Sequence, residues 1–296
     1  MWVLFAVLSA VCLGFYDVSK KRALTDNSVT GVLTVSILVS SVILLTAWGI
    51  GVIDVPMVDA KTHGYIFLKS CLVLTSWLCA YGATKHLSLS VVSPMQATRP
   101  MWTLAGALLI FGERLNGWQW AGVVCALGSV FLFSFAEVRH KEIRNQLLHE
   151  DRRYYILLAL AVLTGAASGL YDKYMMRHYD HNAVQVYYTL YQAVLMCIVW
   201  AINHKSQIKN HKSNTLSWRW EIVAISVFLV LSDYVYLVAL SDPDSLIAVV
   251  STIRRAGTII PFLYGLIVLR EKDPWKKILC LCGILTGLVF LLVGTL

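Results

Sequence analysis

The 296-residue sequence predicts an all-α polytopic membrane protein, with ten transmembrane helices in two inverted five-helix repeats. Three observations predict this. The chain is 58% hydrophobic and 14% charged, with a mean hydropathy of +0.67, whereas a soluble domain carries about 25% charged residues. Its apolar residues gather into ten runs, each near the ~20 residues that cross a bilayer as a helix. The order of small and polar residues in the first five runs recurs in the last five.

In chain order the spans fall at 2–22, 30–51, 63–84, 88–111 and 117–136, then at 154–175, 182–202, 219–240, 245–269 and 275–295. The first span has no basic segment before it, so it reads as a span and not as a cleaved leader. Tryptophans stand near span ends (Trp2, Trp48, Trp118, Trp200, Trp220, Trp275), as expected of residues at the membrane–water boundary. A charged segment, 137–153, divides the chain into repeats 1–136 and 154–296. Ala10-x3-Gly14-x-Tyr16-Asp17 in span one returns as Gly165-x3-Gly169-x-Tyr171-Asp172 in span six, and Arg22 returns as Arg177. Val91-Val92-Ser93 in span four returns as Val249-Val250-Ser251 in span nine, and Glu113 as Glu271. Five is odd, so the second repeat enters the membrane from the opposite side.

The net charge of +8 is no nucleic-acid signature, because the basic residues lie mostly between the runs. Loops after spans one, five, seven and nine hold most of them. By the positive-inside rule that face is cytoplasmic and both termini face out. The seven cysteines lie within apolar runs without metal-ligand spacing, and Cys280 and Cys282 point to opposite sides of a helix. They read as packing residues. Gly283-x3-Gly287 reads as a helix-packing motif, within the bundle or between protomers. No nucleotide-binding loop, metal motif or nucleophile elbow occurs, so an ATP-driven pump, a resident cofactor and an enzyme are not expected.

Pro94, then Phe111-Gly112-Glu113-Arg114-Leu115, then Gln119-Trp120-x-Gly122 and Gly128, together with Gly14 and Lys21 in span one, resemble the drug/metabolite transporter superfamily, EamA type. The resemblance covers nearly the whole chain and implies a ten-helix secondary transporter. The second half departs from it, with Arg270-Glu271-Lys272-Asp273 in place of the "GERL" turn and Met176 where Lys21 would recur. The glutamate of small multidrug relatives is absent near Leu13, which argues against cation export of their type. The resemblance implies cytoplasmic termini, whereas the basic-loop count implies the reverse; the expectation is both termini outside, in the bacterial cytoplasmic membrane.

The residues that stand out chemically are charges inside spans. Arg254 and Arg255 lie about 14 Å along the helix from Ser245, near mid-depth of a ~30 Å core. A mid-membrane arginine costs about 3 kcal/mol or more, and its usual reason is a ligand pathway. Successive helix positions differ by about 100°, so both arginines are not expected to face one lumen squarely. A structural ion pair is the alternative for one of them. Arg99, between Thr98 and Pro100 in span four, aligns with Gly257, one turn from Arg254. Three guanidiniums converging there form an anion site, since guanidinium binds phosphate or carboxylate bidentately. Basic residues on the fourth and ninth helices also resemble the plastid phosphate translocators of the same superfamily. Gln96, Tyr81, Tyr236, Tyr188 and Gln192 are expected to add hydrogen bonds and stacking faces to the substrate site. Asp17, Asp172, Asp233 and Lys21 are candidates for gating or proton coupling. Local pairing of Asp17 with Lys20 or Lys21, and of Asp172 with Lys173, is the plainer alternative. Asp233 is placed to pair with Arg254 or Arg255 when no substrate is bound.

The expected function is secondary transport of a small anionic metabolite, phosphorylated or carboxylate-bearing, by a monomer or homodimer in the lipid bilayer. Export of amino acids or other metabolites is the alternative, and flipping of a lipid phosphate a lesser one. A membrane enzyme acting on lipid or polyprenyl phosphate would need an acid, base or metal constellation that the sequence lacks.

Overall fold

The computed structural model describes residues 1–23, 27–86, 95, 96, 98–136, 152–209, 219–267 and 274–294. The first repeat supplies α1 (Trp2–Ala23), α2 (Val29–Gly49), α3 (Ala60–His86), α4 (Arg99–Ile110) and α5 (Gly117–Ala136). The second supplies α6 (Arg152–His178), α7 (His181–Lys209), α8 (Trp220–Ser241), α9 (Ile247–Arg255), α10 (Ile259–Ile267) and α11 (Pro274–Val293). Two differences from the sequence expectation matter. Span nine is not one helix: it ends at Arg255, tightens into a 3-10 turn over Ala256–Thr258, and resumes as α10. Arg99 is not in mid-helix either. It opens α4, with Pro100 in the first turn, where the missing N–H has no intrahelical partner to lose.

The bundle is apolar on the outside as well as within. Leu4, Leu8, Val11 and Phe15 project outward from α1 at helical spacing, the pattern of a helix bathed in lipid. Among the described residues, five helices are long and apolar enough to cross a membrane by length and composition. With lipid outside, burial of apolar surface does little to hold helices together. Packing of small residues and interhelical hydrogen bonds do it instead. Ser9 Oγ donates to the Ser232 carbonyl at 2.8 Å, and Ser232 Oγ returns a bond to the Ser9 carbonyl at 3.1 Å, joining α1 to α8. Ser76 Oγ donates to the Ala161 carbonyl at 2.9 Å, joining α3 to α6. Such bonds average about 0.6 kcal/mol each, so a set of them is needed.

The principal interfaces pair one repeat with the other: α1 with α8, α3 with α6, α2 with α7, α4 with α6, α9 with α1, and α5 with α11. In the last pair, Cβ atoms added at Gly283 and Gly287 would overlap Ser129, Ala126 and the Gly122 carbonyl. The Gly283-x3-Gly287 motif therefore packs inside the bundle.

The inverted repeat is visible in two equivalent contacts. A Cβ on Gly257 would lie 2.3 Å from the Ala10 carbonyl oxygen. A Cβ on Gly165 would lie 2.5 Å from Cζ of Arg99. Ala10 and Gly165 are repeat partners, as are Gly257 and Arg99. Each contact is the other's image, with a side chain in one place and bare backbone in the other.

One end of α9 is fixed across the repeats. Gly112, at φ +61°, turns the chain after α4 in the left-handed region that favours glycine. This places Glu113 so that its carboxylate accepts from the amides of Ile247 at 2.7 Å and Ala248 at 3.1 Å, capping the N-terminus of α9. Burial pushes the Glu113 carboxyl above the usual carboxylate range, while the two amide bonds pull against that shift. Glu113→Ala is expected to destabilise the protein by about 2–3 kcal/mol, the scale for hydrogen bonds to a charged group. Thermal unfolding in detergent measures this. Glu113→Gln, which keeps a single acceptor oxygen, should fall between the two; a wild-type midpoint for the alanine variant would show that the cap does not hold α9.

Candidate functional site

A cavity of about 330 Å³ lies between α1, α3, α4, α6, α7, α8 and α9. Its lining includes five cationic side chains, Lys20, Lys69, Arg99, Arg254 and Arg255, and three carboxylates, Asp17, Asp172 and Asp233. Tyr16, Trp77, Tyr188 and Tyr236 supply aromatic faces.

Arg254, in the last turn of α9, reaches across to α8. Its Nη2 donates to Asp233 Oδ1 at 2.5 Å and to Ser232 Oγ at 3.3 Å, and its guanidinium lies 4.0 Å from the centre of the Tyr236 ring. The side chain is 20% exposed and that of Asp233 29%, so the pair faces the cavity instead of closing it off. Arg255 lines the same cavity, within electrostatic reach of Asp17. The two neighbouring arginines thus share one lumen, contrary to the 100° expectation. The helix stops at Arg255, and long side chains leaving its last turn can converge.

Arg99 enters from α4. Its Nη2 donates to the Gly165 carbonyl at 2.7 Å, so a neutral acceptor holds it, and the missing side chain at Gly165 gives the guanidinium room. Lys69 projects from the middle of α3. Its Nζ lies 2.9 Å from Asp172 Oδ1 and 4.4 Å from the centre of the Tyr188 ring. Asp172 is therefore matched by a lysine of the other repeat, not by its neighbour. Lys173 turns away, donating to Ser245 Oγ at 2.5 Å and to the carbonyls of Leu240 and Asp242 at 3.3 Å each. It ties α6 to the end of α8. Lys20 stands over the Tyr16 ring at 5.5 Å.

Of the expected site residues, Arg99, Arg254, Arg255, Tyr188, Tyr236, Asp17, Asp172 and Asp233 line this one cavity. Gln192 does not; it lines a small adjoining chamber. Gln96 lies ahead of α4, half-buried and outside the lining. The side chains of Tyr81 and Lys21 lie outside the described residues. Lys69, Gln185 and Trp77 were not anticipated. Lys69 had a signal: it stands inside apolar span 63–84, and the cost argument that singled out the arginines applies to it equally. Among the described residues no group of three or more His, Cys, Asp or Glu side chains is placed to hold a metal ion.

The model of the EamA-like transporter family matches residues 1–135 and again residues 152–293. The chain belongs to the EamA-like transporter family. This EamA-like protein is accordingly an integral, multi-pass membrane protein and a membrane transporter of small molecules, with the charged cavity at the meeting of its two repeats. A crystal structure of another protein is similar to it with a TM-score of 0.76 over 98% of this chain and 95% of the other, at 11% identity. That likeness shows the fold alone. No curated protein matches the EamA-like chain by sequence.

Proposed function

We propose that this EamA-like protein carries a small anionic metabolite, phosphorylated or carboxylate-bearing, by alternating access of the two repeats around the cavity. The supporting observation is the excess of cationic over carboxylate side chains in the lining, with Arg99 held, among the described residues, by a carbonyl and not by a carboxylate. Two positive charges beyond the three carboxylates suit a ligand of one or two negative charges, and guanidinium supplies the planar fork that phosphate and carboxylate accept. Asp233 compensates Arg254 until an incoming anion replaces it, which keeps the unloaded site tolerable at mid-membrane depth. The loops after spans one, five, seven and nine face the cytoplasm in this proposal, with both termini outside.

Arg99→Leu and Arg255→Leu each test the reading. Both variants should remain folded and lose binding of inorganic phosphate or of acetate by tenfold or more, read as a ligand-dependent thermal shift. In proteoliposomes, Arg255→Leu should abolish anion uptake. Undiminished transport by Arg255→Leu would remove the anion site. A second reading has its own support. Asp17 beside Arg255 offers both signs of charge within one cavity, as a zwitterionic amino acid requires. Counterflow of phosphate esters against amino acids separates the two substrates.

A further inference from the structure

The adjoining chamber has its own chemistry. It has a volume of about 20 Å³ and lies between α2, α3, α7 and α8. It shares Trp77, Gln185, Tyr188, Leu229 and Asp233 with the main cavity, so the two are continuous. Gln185 and Gln192 stand about two helical turns apart on α7, both line the chamber, and each is only 2% exposed. Gln185 Nε2 donates to the Val230 carbonyl at 2.9 Å, which fixes that carboxamide and leaves Oε1 on its other side. Among the described residues neither Gln185 Oε1 nor either polar atom of Gln192 has a hydrogen-bond partner. Two of the neighbouring hydroxyls are already committed as donors: Thr189 Oγ1 to the Gln185 carbonyl at 2.8 Å and Ser40 Oγ to the Ser36 carbonyl at 2.8 Å.

A buried carboxamide without partners is costly, so the site is built for a group that satisfies it. Three properties limit that group. A volume of this size admits about one heavy atom beyond the main cavity. The chamber offers two acceptors, Gln185 Oε1 and Gln192 Oε1, and one donor, Gln192 Nε2. A carboxylate only accepts and an ammonium only donates, whereas a hydroxyl does both. The aromatic walls of Trp77 and Tyr188 add apolar contact for the carbon that bears it.

We infer that the chamber is a hydroxyl-recognition subsite, and that the transported species is a hydroxylated anion whose charged group meets the arginines while one hydroxyl enters between Gln185 and Gln192. This rests on the anion reading above and narrows it: unsubstituted alkyl phosphates and carboxylates are poor ligands, and hydroxy acids or hydroxylated phosphate esters are good ones. A site that hydrogen-bonds a ligand hydroxyl rejects the analogue lacking it, because its own polar groups are then left unpaired.

The test compares ω-hydroxyalkyl phosphates of two to six carbons with the matching n-alkyl phosphates, and ω-hydroxycarboxylates with plain carboxylates. Inorganic phosphate and acetate serve as head groups alone. Affinities are read by calorimetry and thermal shift on the full-length protein in detergent. For at least one chain length the hydroxylated ligand should bind about tenfold tighter than its plain partner. Gln192→Met, close in shape, should remove or reverse that preference while leaving inorganic phosphate binding unchanged; Gln192→Leu serves if the methionine variant does not fold. If the head groups bind but no hydroxylated ligand is preferred at any length, the chamber holds a structural water and the subsite is overturned while the anion site stands. If the preference survives both substitutions, the subsite is likewise overturned. If neither the head groups nor any member of the series binds, the anion reading falls and this inference with it.

Discussion

Asp233→Ala should lower the stability of the protein by about 3 kcal/mol, the scale for removing one partner of a buried ion pair. The cause is the guanidinium left behind. Without Asp233, Arg254 keeps the Ser232 hydroxyl at 3.3 Å and the Tyr236 ring, and a cation–π contact returns only about 0.5–2 kcal/mol. The double substitution Asp233→Leu with Arg254→Met should regain most of the loss, since well-packed apolar residues replace buried ion pairs at little net cost. Anion binding should behave differently. The double variant removes a binding charge and is expected to fail in transport despite its stability. Thermal midpoints of the wild type, the single variant and the double variant, with phosphate binding on each, separate the structural from the functional role. An Asp233→Ala variant as stable as the wild type would mean that Arg254 is held elsewhere than the geometry places it.

The second large effect is a contrast between two glycines on opposite sides of equivalent contacts. Gly165→Ala puts a methyl group 2.5 Å from Cζ of Arg99. The obstacle is the far end of a flexible side chain, so the guanidinium moves and the helices need not. This variant should unfold within a few degrees of the wild type and bind phosphate at least tenfold more weakly. Gly257→Ala puts a methyl group 2.3 Å from the backbone oxygen of Ala10. Nothing there rotates away, and α1 must separate from the turn after α9. Overpacking of this kind costs about 1–3 kcal/mol or more, so this variant should lose stability first and binding with it. Full phosphate affinity in Gly165→Ala would show that the position of Arg99 is not critical to the site.

The sequence carried the helices and the repeat plainly, because lipid demands long apolar runs and the duplicated motifs lie in register. It carried the arginines for the same reason: charge inside such a run has a large cost and is easily noticed. The partners were harder to read. Asp172 stands beside Lys173 in the chain, yet it faces Lys69, about a hundred positions away. Local spacing favours i,i+3 and i,i+4 pairs, while here packing of α3 on α6 decides. The interruption at Ala256–Thr258, by contrast, had a signal in Pro261, whose ring nitrogen has no hydrogen to give the Gly257 carbonyl one turn back. Gly257 itself also lies against the Ala10 backbone, a contact that exists only once α1 and α9 are together. Ala10 and Gly165 are legible as repeat markers; that one receives a backbone and the other a guanidinium follows only from the packing of the helices.

The interleaving of the repeats has a consequence for how the protein is made. Lys69 and Arg99 both emerge during synthesis of the first half, while their described partners, Asp172 and the Gly165 carbonyl, belong to the second. Until α6 is inserted, two cationic side chains sit in a five-helix intermediate that has not yet acquired those partners. The first half is therefore a costly guest in the bilayer by itself, and arrival of α6 relieves both charges in one step. Cutting the chain within 137–151 should give halves that accumulate together and are degraded apart.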